Sequence, residues 1–223
     1  MKKYLILFGA VLFLGGCKKY LDVNKNPNSP EASTATANFV FTNAVNAATG
    51  YQVGGSHALG STWSGLLSHS TSFTGGGEEK TYSFNNTNFN YFDGAYDILN
   101  DFEFVIKNAQ DDGFGHLAGP AMVMQTFMYQ KLVDQYGDVP YSEALKGTEF
   151  STPKYDDAQT IYESLITKLD EAITLIKAAT FPGGDAADIV FSGNKTNWLK
   201  FANSMKLRIL MRQSFMQIGR AHV

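Results

Sequence analysis

Apolar side chains recur at intervals of three and four residues along most of this chain, which is the spacing of one face of an α-helix. The most regular stripe runs through Ile161, Leu165, Leu169, Ala172 and Ile176. Segments with the same spacing lie at about 30–49, 57–70, 89–106, 117–136, 157–178 and 196–215. The pattern predicts a mainly α fold in which helices are separated by turns and long irregular loops.

The first two predicted helices have recognisable ends. Ser29, Pro30 and Glu31 supply a cap, a first-turn proline and a first-turn acid, so the first helix is expected to begin there. Its predicted inward residues are Phe39, Val40, Ala44 and Ala48. The second helix is expected to extend to about Ser70 and to carry Leu59, Trp63, Leu66 and Leu67.

Polar residues mark a corner and a second helix start in the middle of the chain. The segment Tyr136–Tyr141 contains Gly137 and Pro140, which end one helix and prevent its continuation. Asp156 is predicted to cap the next helix, with Gln159 three residues later completing a capping box. We therefore expect a structural turn between these two helices.

The three C-terminal helices follow one another at similar intervals. The intervals are about 40 residues, against roughly 34 in a regular tetratricopeptide repeat. Helices that recur with intervening turns are typical of stacked helical scaffolds. The sequence therefore predicts an irregular tetratricopeptide-like scaffold with long loops.

The N-terminus has the anatomy of a secretory signal. Two lysines follow Met1, and an apolar run then extends from Tyr4 to Leu14. That run is shorter than the roughly 20 residues needed to span a bilayer. Leu14–Cys17 resembles the bacterial lipobox, in which the thiol of the cysteine is acylated after cleavage. Residues 1–16 are therefore expected to be a signal peptide, Cys17 a lipidation site and 17–30 a tether. The alternative is an ordinary signal peptide followed by a free thiol.

Composition excludes several classes of protein. The chain has 223 residues, 44% of them hydrophobic, which is enough for a buried core in one domain of ordinary size. Its net charge is -3. No basic patch is evident, so nucleic-acid binding is not expected. One cysteine allows no disulfide within the chain.

Motifs for catalysis are lacking. The sequence contains neither a His-Glu-x-x-His nor a Gly-x-Ser-x-Gly motif. His57, His69 and His116 are scattered without the spacing of metal ligands, and Glu78-Glu79 is interpreted as a solvated loop tip. We expect a protein that is not an enzyme and that needs neither a metal nor a cofactor.

An ordered series of short segments resembles the SusD/RagB family of outer-membrane lipoproteins from Bacteroidota. The segments that carry the resemblance are Tyr20–Pro27, Lys131–Leu145, Pro153–Asp156, Ile161-Tyr162, Leu169–Ile173, Asp188–Asn194, Trp198, Lys200–Ser204 and Lys206–Arg208. Together they extend over nearly all of the chain after Cys17.

The resemblance implies both a fold and a role. Family members are helical, with tetratricopeptide-like pairs and a large irregular half. They sit on a SusC-like TonB-dependent transporter, capture oligosaccharide or peptide at the cell surface, and are not enzymes. The implied location is the outer membrane, through a lipid anchor. Residues 31–217 would then be the N-terminal part of a longer domain. Residues 218–223 look like the in-frame translation of a sequencing-adapter read and are expected to be a non-native tail.

Ligand contacts are expected where aromatic side chains lie beside amides or acids, since rings stack on sugars and polar groups read hydroxyl positions. Trp63 is the best single candidate, with core packing as the alternative. A second group lies beyond a glycine-rich loop: Tyr82, Phe84, Asn85, Asn86 and Asn88. The alternative for that group is a solvated loop with some buried aromatic rings.

Two other functions stay open at the level of sequence. The first is a lipid-anchored hydrolase of the same polymers, and the second is a helical-repeat scaffold in envelope assembly. Turnover of a bound polymer would favour the hydrolase, and co-purification with a transporter would exclude the scaffold.

Overall fold

Helices form nearly all of the regular structure, as the periodicity predicts. The computed structural model describes residues 35–53, 56–67 and 91–218, without the side chains of 56–59 and 215–218. The helices and strands are α1 (Ala37–Val53), α2 (Ser56–Trp63), α3 (Phe92–Asn108), a 3-10 helix (Gly115–Leu117), α4 (Ala118–Tyr136), β1 (Val139–Pro140), a second 3-10 helix (Gly147–Phe150), β2 (Tyr155–Asp156), α5 (Ala158–Ala178) and α6 (Lys195–Ile218).

Helix α4 lies at the centre of this arrangement. It contacts α3 and α5 extensively, and α1 and α6 over smaller areas. Ala121, Met124, Met128 and Leu132, which recur at intervals of three and four residues, are buried, but so are most residues of the other faces. The helix is therefore enclosed by its neighbours, which a one-sided stripe does not predict.

Helix α5 matches its predicted pattern closely. All five members of its apolar stripe, from Ile161 to Ile176, are fully buried. Burial of such side chains stabilises a fold by about 1.5–3 kcal/mol each. A strictly one-sided stripe therefore locates both the helix and its inward face.

A polar cluster joins the three C-terminal helices next to this core. Asp134 of α4 accepts hydrogen bonds from Gln130 Nε2 at 2.9 Å and from the Tyr162 hydroxyl of α5. It also pairs with Arg212 of α6 at 3.1 Å. One carboxylate thus links α4, α5 and α6.

The first helix differs from its prediction in its start and in the position of Phe39, whereas Ala44 and Ala48 are buried as predicted. Residues 35 and 36 precede it, so its first residue is Ala37 rather than a residue near 31. Phe39 is 72% exposed, whereas Phe41 is fully buried. Phe41 packs edge-on against Phe102 and Trp198, with ring centroids 6.4 and 6.2 Å away. These two aromatic contacts orient the helix so that Phe39 faces outward.

The second helix is shorter than predicted. It ends at Trp63, and the residues after it form a turn in which Leu66 and Leu67 are exposed. The two leucines therefore do not continue an inward stripe. Residues 68–70, the end of the predicted helix, lie outside the described residues.

The cap of α5 is also one residue later than predicted. Asp157, not Asp156, is the capping residue, and its carboxylate accepts a hydrogen bond from the Thr160 N–H at 3.0 Å. Asp156 is unavailable as a cap because it lies in β2, paired antiparallel with Val139 of β1. The predicted partner Gln159 instead donates to Glu163 at 3.0 Å.

The segment between α5 and α6 is organised around a buried carboxylate. Asp188 Oδ1 accepts hydrogen bonds from the N–H groups of Val190 and Phe191 at 3.1 and 3.0 Å. Its Oδ2 accepts from Gly193 N–H at 2.9 Å and from Trp198 Nε1 at 2.6 Å. Buried carboxylates are tolerated only when their oxygens are satisfied in this way.

Gly193 is required by this arrangement. Its φ is +77°, and a Cβ there would lie 2.0 Å from the Pro182 carbonyl oxygen. A glycine therefore lets the turn close tightly enough for its N–H to reach Asp188. The result is a loop tied to Trp198, which is itself fully buried in the core.

We predict that Asp188→Ala lowers the free energy of unfolding by about 2–4 kcal/mol, because it leaves buried donors without an acceptor. Chemical denaturation measures this change. The matched control is Asp170→Ala, which removes an exposed ion pair with Lys206 and should cost about 1 kcal/mol or less. Equal losses for the two variants would contradict the role given to Asp188.

Candidate functional site

Three aromatic rings meet at the surface where α3 begins and α4 ends. Phe92 lies between the other two: its ring centroid is 5.4 Å from that of Tyr136, edge-on, and 6.4 Å from that of Tyr155, nearly parallel at 12°. Tyr136 is 39% exposed and Tyr155 is 64% exposed. We call Phe92, Tyr136 and Tyr155 the aromatic surface.

Local structure explains why these rings lie together. Phe92 is the first residue of α3, and Tyr136 is the last residue of α4. Gly137 follows with a φ of +74°, so the chain turns there and enters β1. Tyr155 opens β2, where it pairs with Pro140. The predicted corner is therefore confirmed, and it also presents aromatic rings.

A cavity of about 340 Å³ adjoins the aromatic surface. Phe92, Tyr96 and Pro140 form part of its wall, and Asp93 and Asp97 add carboxylates. The Tyr96 hydroxyl donates to the Pro140 carbonyl oxygen at 2.7 Å, and burial raises the pKa of this phenol. Aromatic faces beside acids are the combination expected for a ligand that carries hydroxyl groups.

Asp156 fixes the start of the loop 142–146, which borders this cavity. Its Oδ2 accepts from the N–H groups of Tyr141 and Ser142 at 3.1 and 2.7 Å, and its Oδ1 accepts from Ser142 Oγ at 2.9 Å. Burial alone would raise the pKa of Asp156, but these hydrogen bonds outweigh it and the pKa is lowered. The ionised carboxylate therefore holds the backbone of Tyr141 and Ser142 in place, and we call this set of hydrogen bonds the Asp156 clamp.

A second fixed contact completes the loop. Glu143 accepts a hydrogen bond from the Lys154 N–H at 2.9 Å. Leu145 has a φ of +61°, an unusual conformation for a residue with a branched side chain. The hydrogen bonds of Ser142 and Glu143, together with the strained backbone of Leu145, fix the conformation of residues 142–146.

Polar side chains line the space on the other side of this loop. Two adjoining cavities of about 440 and 460 Å³ lie there, and both are bordered by Glu103, Tyr141 and Lys168. We call this space the polar groove. Its walls come from α3, α4, α5 and the loop after β1.

The floor of the polar groove is a hydrogen-bonded chain. Lys168 donates to Gln125 Oε1, and Gln125 Nε2 donates to Glu103 Oε2 at 3.0 Å and to the Leu99 carbonyl oxygen at 3.2 Å. Glu103 also pairs with Lys107 at 3.1 Å. Gln125 is fully buried, so this chain fixes the positions of both charged groups.

The environment lowers the pKa values of both Lys168 and Glu103, for different reasons. Burial lowers the pKa of Lys168, against the attraction of Glu103 and Glu171. For Glu103, burial would raise the pKa, but the hydrogen bonds from Gln125 and Lys107 and the charges of Lys168 and Lys107 lower it. Glu103 is therefore ionised at neutral pH.

Trp63, the predicted ligand-binding residue that the structure describes, does not lie at this site. Trp63 is 36% exposed at the end of α2, and neither the cavity beside the aromatic surface nor the polar groove is lined by it. The remaining ligand candidates, Tyr82, Phe84, Asn85, Asn86 and Asn88, lie outside the described residues, as does Cys17, the predicted lipidation site. Those assignments stay predictions.

The aromatic surface and the polar groove were missed for an understandable reason. The rings of the aromatic surface come from three positions far apart in the chain, and nothing local links them. The available signal was the corner Tyr136–Tyr141, which carries an aromatic residue at each end. The aromatic surface also places rings beside acids, but its rings come from separate segments, whereas each sequence candidate was sought within one segment.

Among the residues that the structure describes, no group of three or more His, Cys, Asp or Glu side chains is arranged to hold a metal ion. Over the same ranges, no helix combines the length and the apolar character needed to cross a bilayer.

Fold and site together define a helical domain that carries an aromatic surface and a polar groove. A family described as SusD-like, starch-binding and associating with the outer membrane matches residues 27–222. The chain therefore belongs to the SusD-like family, and the predicted resemblance is confirmed. No curated protein is similar enough to the chain to count as a match.

Solved structures show the same fold. A SusD/RagB family protein from Bacteroides thetaiotaomicron has a TM-score of 0.67 and 23% identity, over 80% of this chain and 38% of that one. A SusD homolog from Bacteroides fragilis has a TM-score of 0.63 and 19% identity, over 81% of this chain and 36% of that one. A chitin-binding protein has a TM-score of 0.50 and 36% identity, over 58% of this chain and 28% of that one. The chain thus spans less than half the length of each relative.

Tyr141, which borders the polar groove, is expected to make the stability of the folded protein depend on pH. Burial, with smaller contributions from Glu171, Glu103 and Asp156, raises the pKa of Tyr141 to about 12. The folded state therefore holds this proton more tightly than the unfolded state does. The resulting stability is fully present below pH of about 10 and is lost as the pH rises through about 12.

Phenolate absorbance measures this titration. The difference between the wild-type protein and Tyr141→Phe isolates the Tyr141 hydroxyl, and we expect a midpoint of about 12. A midpoint near 10, the ordinary value for an exposed tyrosine, would show that the wall of the polar groove is open to water.

Proposed function

We propose that this protein is a surface lipoprotein that captures glycan nutrients and delivers them to a SusC-like TonB-dependent transporter in the outer membrane. The observation that carries the proposal is the family match over residues 27–222, since that family is starch-binding and associates with the outer membrane. Capture of peptide is the alternative within the same role. Delivery to a transporter, the identity of the ligand and surface exposure are parts of the proposal.

The aromatic surface favours a glycan. A pyranose ring presents C–H groups that stack on aromatic faces, and its hydroxyl groups bond to nearby acids. Tyr155 exposes much of its ring, and Asp93 and Asp97 lie on the wall of the adjoining cavity. The similar chitin-binding protein and the starch-binding family description supply two oligosaccharides to test.

Anchoring and binding are assigned to different parts of the chain. In the proposal, residues 1–16 are removed as a signal, Cys17 carries the lipid, and 17–30 form the tether. Residues 31–217 then belong to the ligand-binding domain. Binding without turnover is proposed because proteins of this family bind nutrients and the sequence carries no catalytic motif.

The proposal predicts that Tyr155→Ala weakens binding of maltohexaose or chitohexaose about tenfold, because a stacked ring contact is worth about 1.4 kcal/mol. Isothermal titration calorimetry measures the affinity. Phe39→Ala is the matched control, since Phe39 is also exposed but lies on α1, away from the site. The same titration with Trp63→Ala measures the contribution of the candidate chosen from sequence.

Three outcomes would contradict the proposal. Failure of the wild-type protein to bind either oligosaccharide would remove the glycan ligand. Unchanged affinity in Tyr155→Ala would show that the oligosaccharide does not contact the aromatic surface. Shortened oligosaccharides in the product mixture would favour the hydrolase.

A further inference from the structure

We infer that the polar groove binds a neutral, hydroxyl-rich ring, as a second sugar subsite for the same oligosaccharide that stacks on the aromatic surface. This inference rests on the proposed function and extends it to a site that the family match does not specify. It depends on the position of the groove, the balance of its charges and the hydrogen-bonding capacity of Lys168.

The polar groove is positioned to receive the next part of a bound chain. Ala144 and Leu145 line both the cavity beside the aromatic surface and the cavity of about 460 Å³ in the polar groove. The two spaces are therefore separated by the narrow loop 142–146. An oligosaccharide that lies on the aromatic surface can cross this loop and place another ring in the groove.

Charges inside the groove already compensate one another. Glu103 is paired with Lys107 at 3.1 Å, and Lys168 is attracted by both Glu103 and Glu171. Lys146 and Glu149 also line the groove, so its three carboxylates and three ammonium groups sum to zero. An ionic ligand would find no uncompensated charge to pair with, so a neutral ligand fits the groove better.

Lys168 has hydrogen-bonding capacity to spare. An ammonium group carries three donors, and among the described residues Lys168 donates to a single oxygen, Gln125 Oε1. Partly buried donors need acceptors, and a sugar hydroxyl can accept from Lys168 while donating to a carboxylate such as Glu171. A ring with several hydroxyl groups can satisfy both walls at once.

The groove also offers apolar contact and sufficient room. Tyr141, Ile106 and Met122 border the 440 Å³ cavity together with the polar groups. Its volume of about 440 Å³ falls within the range of small-ligand sites. Apolar and polar side chains in one cavity match the two kinds of surface that a sugar ring presents.

The test is the affinity for maltohexaose and chitohexaose, measured by calorimetry on two variants in the groove. Glu171→Gln removes the charge at an exposed position on α5, and we expect about fivefold weaker binding. Lys168→Met removes the donors, and we expect about tenfold weaker binding. Glu163→Gln, also exposed on α5, is the matched control and should bind as the wild type does.

Each outcome decides the inference. Thermal melts check that Lys168→Met is folded, and Glu171→Gln keeps the test valid if it is not. If both variants bind normally while Tyr155→Ala is impaired, the inference is wrong and the proposed function stands. If the wild-type protein binds neither oligosaccharide, both fail. Tight binding of the zwitterionic peptide Ala-Ala, lost in Lys168→Met, would overturn the sugar assignment.

Discussion

The carboxylate of Asp156 is the interaction on which the shape of the site depends. It accepts two backbone N–H groups and one hydroxyl from Tyr141 and Ser142, and so fixes the start of the loop after β1. The same residue pairs with Val139, which places Tyr155 beside Phe92. Charge-assisted hydrogen bonds of this kind are about twice as strong as neutral ones. The Asp156 clamp thus positions both the loop 142–146, which separates the two cavities, and the exposed ring of Tyr155.

The helices provide the rigid support for this clamp. Because α4 is enclosed by α1, α3, α5 and α6, its end can present Tyr136 at a fixed position. Asp188 adds a second anchor at the other connection, where it ties the loop before α6 to Trp198. Binding surfaces built on such elements need little ordering when the ligand arrives, which favours affinity.

Sequence periodicity predicted the helices well because their apolar stripes are local. The stripe from Ile161 to Ile176 defined α5 and its buried face. Phe39 was misplaced because the orientation of α1 is decided by Phe102 and Trp198, which lie far away in the sequence. Asp156 was misread as a cap because its partners, Tyr141 and Ser142, are not its neighbours in the chain. The site was hidden for the same reason: it assembles only when distant segments pack together.

The clamp is tested most directly by comparing the oligosaccharide affinities of Asp156→Ala and Asp157→Ala by calorimetry. Asp157→Ala removes the cap of α5, which should cost about 1 kcal/mol of stability and leave affinity unchanged. Asp156→Ala should keep its helical circular dichroism and bind about tenfold more weakly or worse, because the loop between the cavities loses its anchor. Normal binding by a folded Asp156→Ala protein would contradict the account.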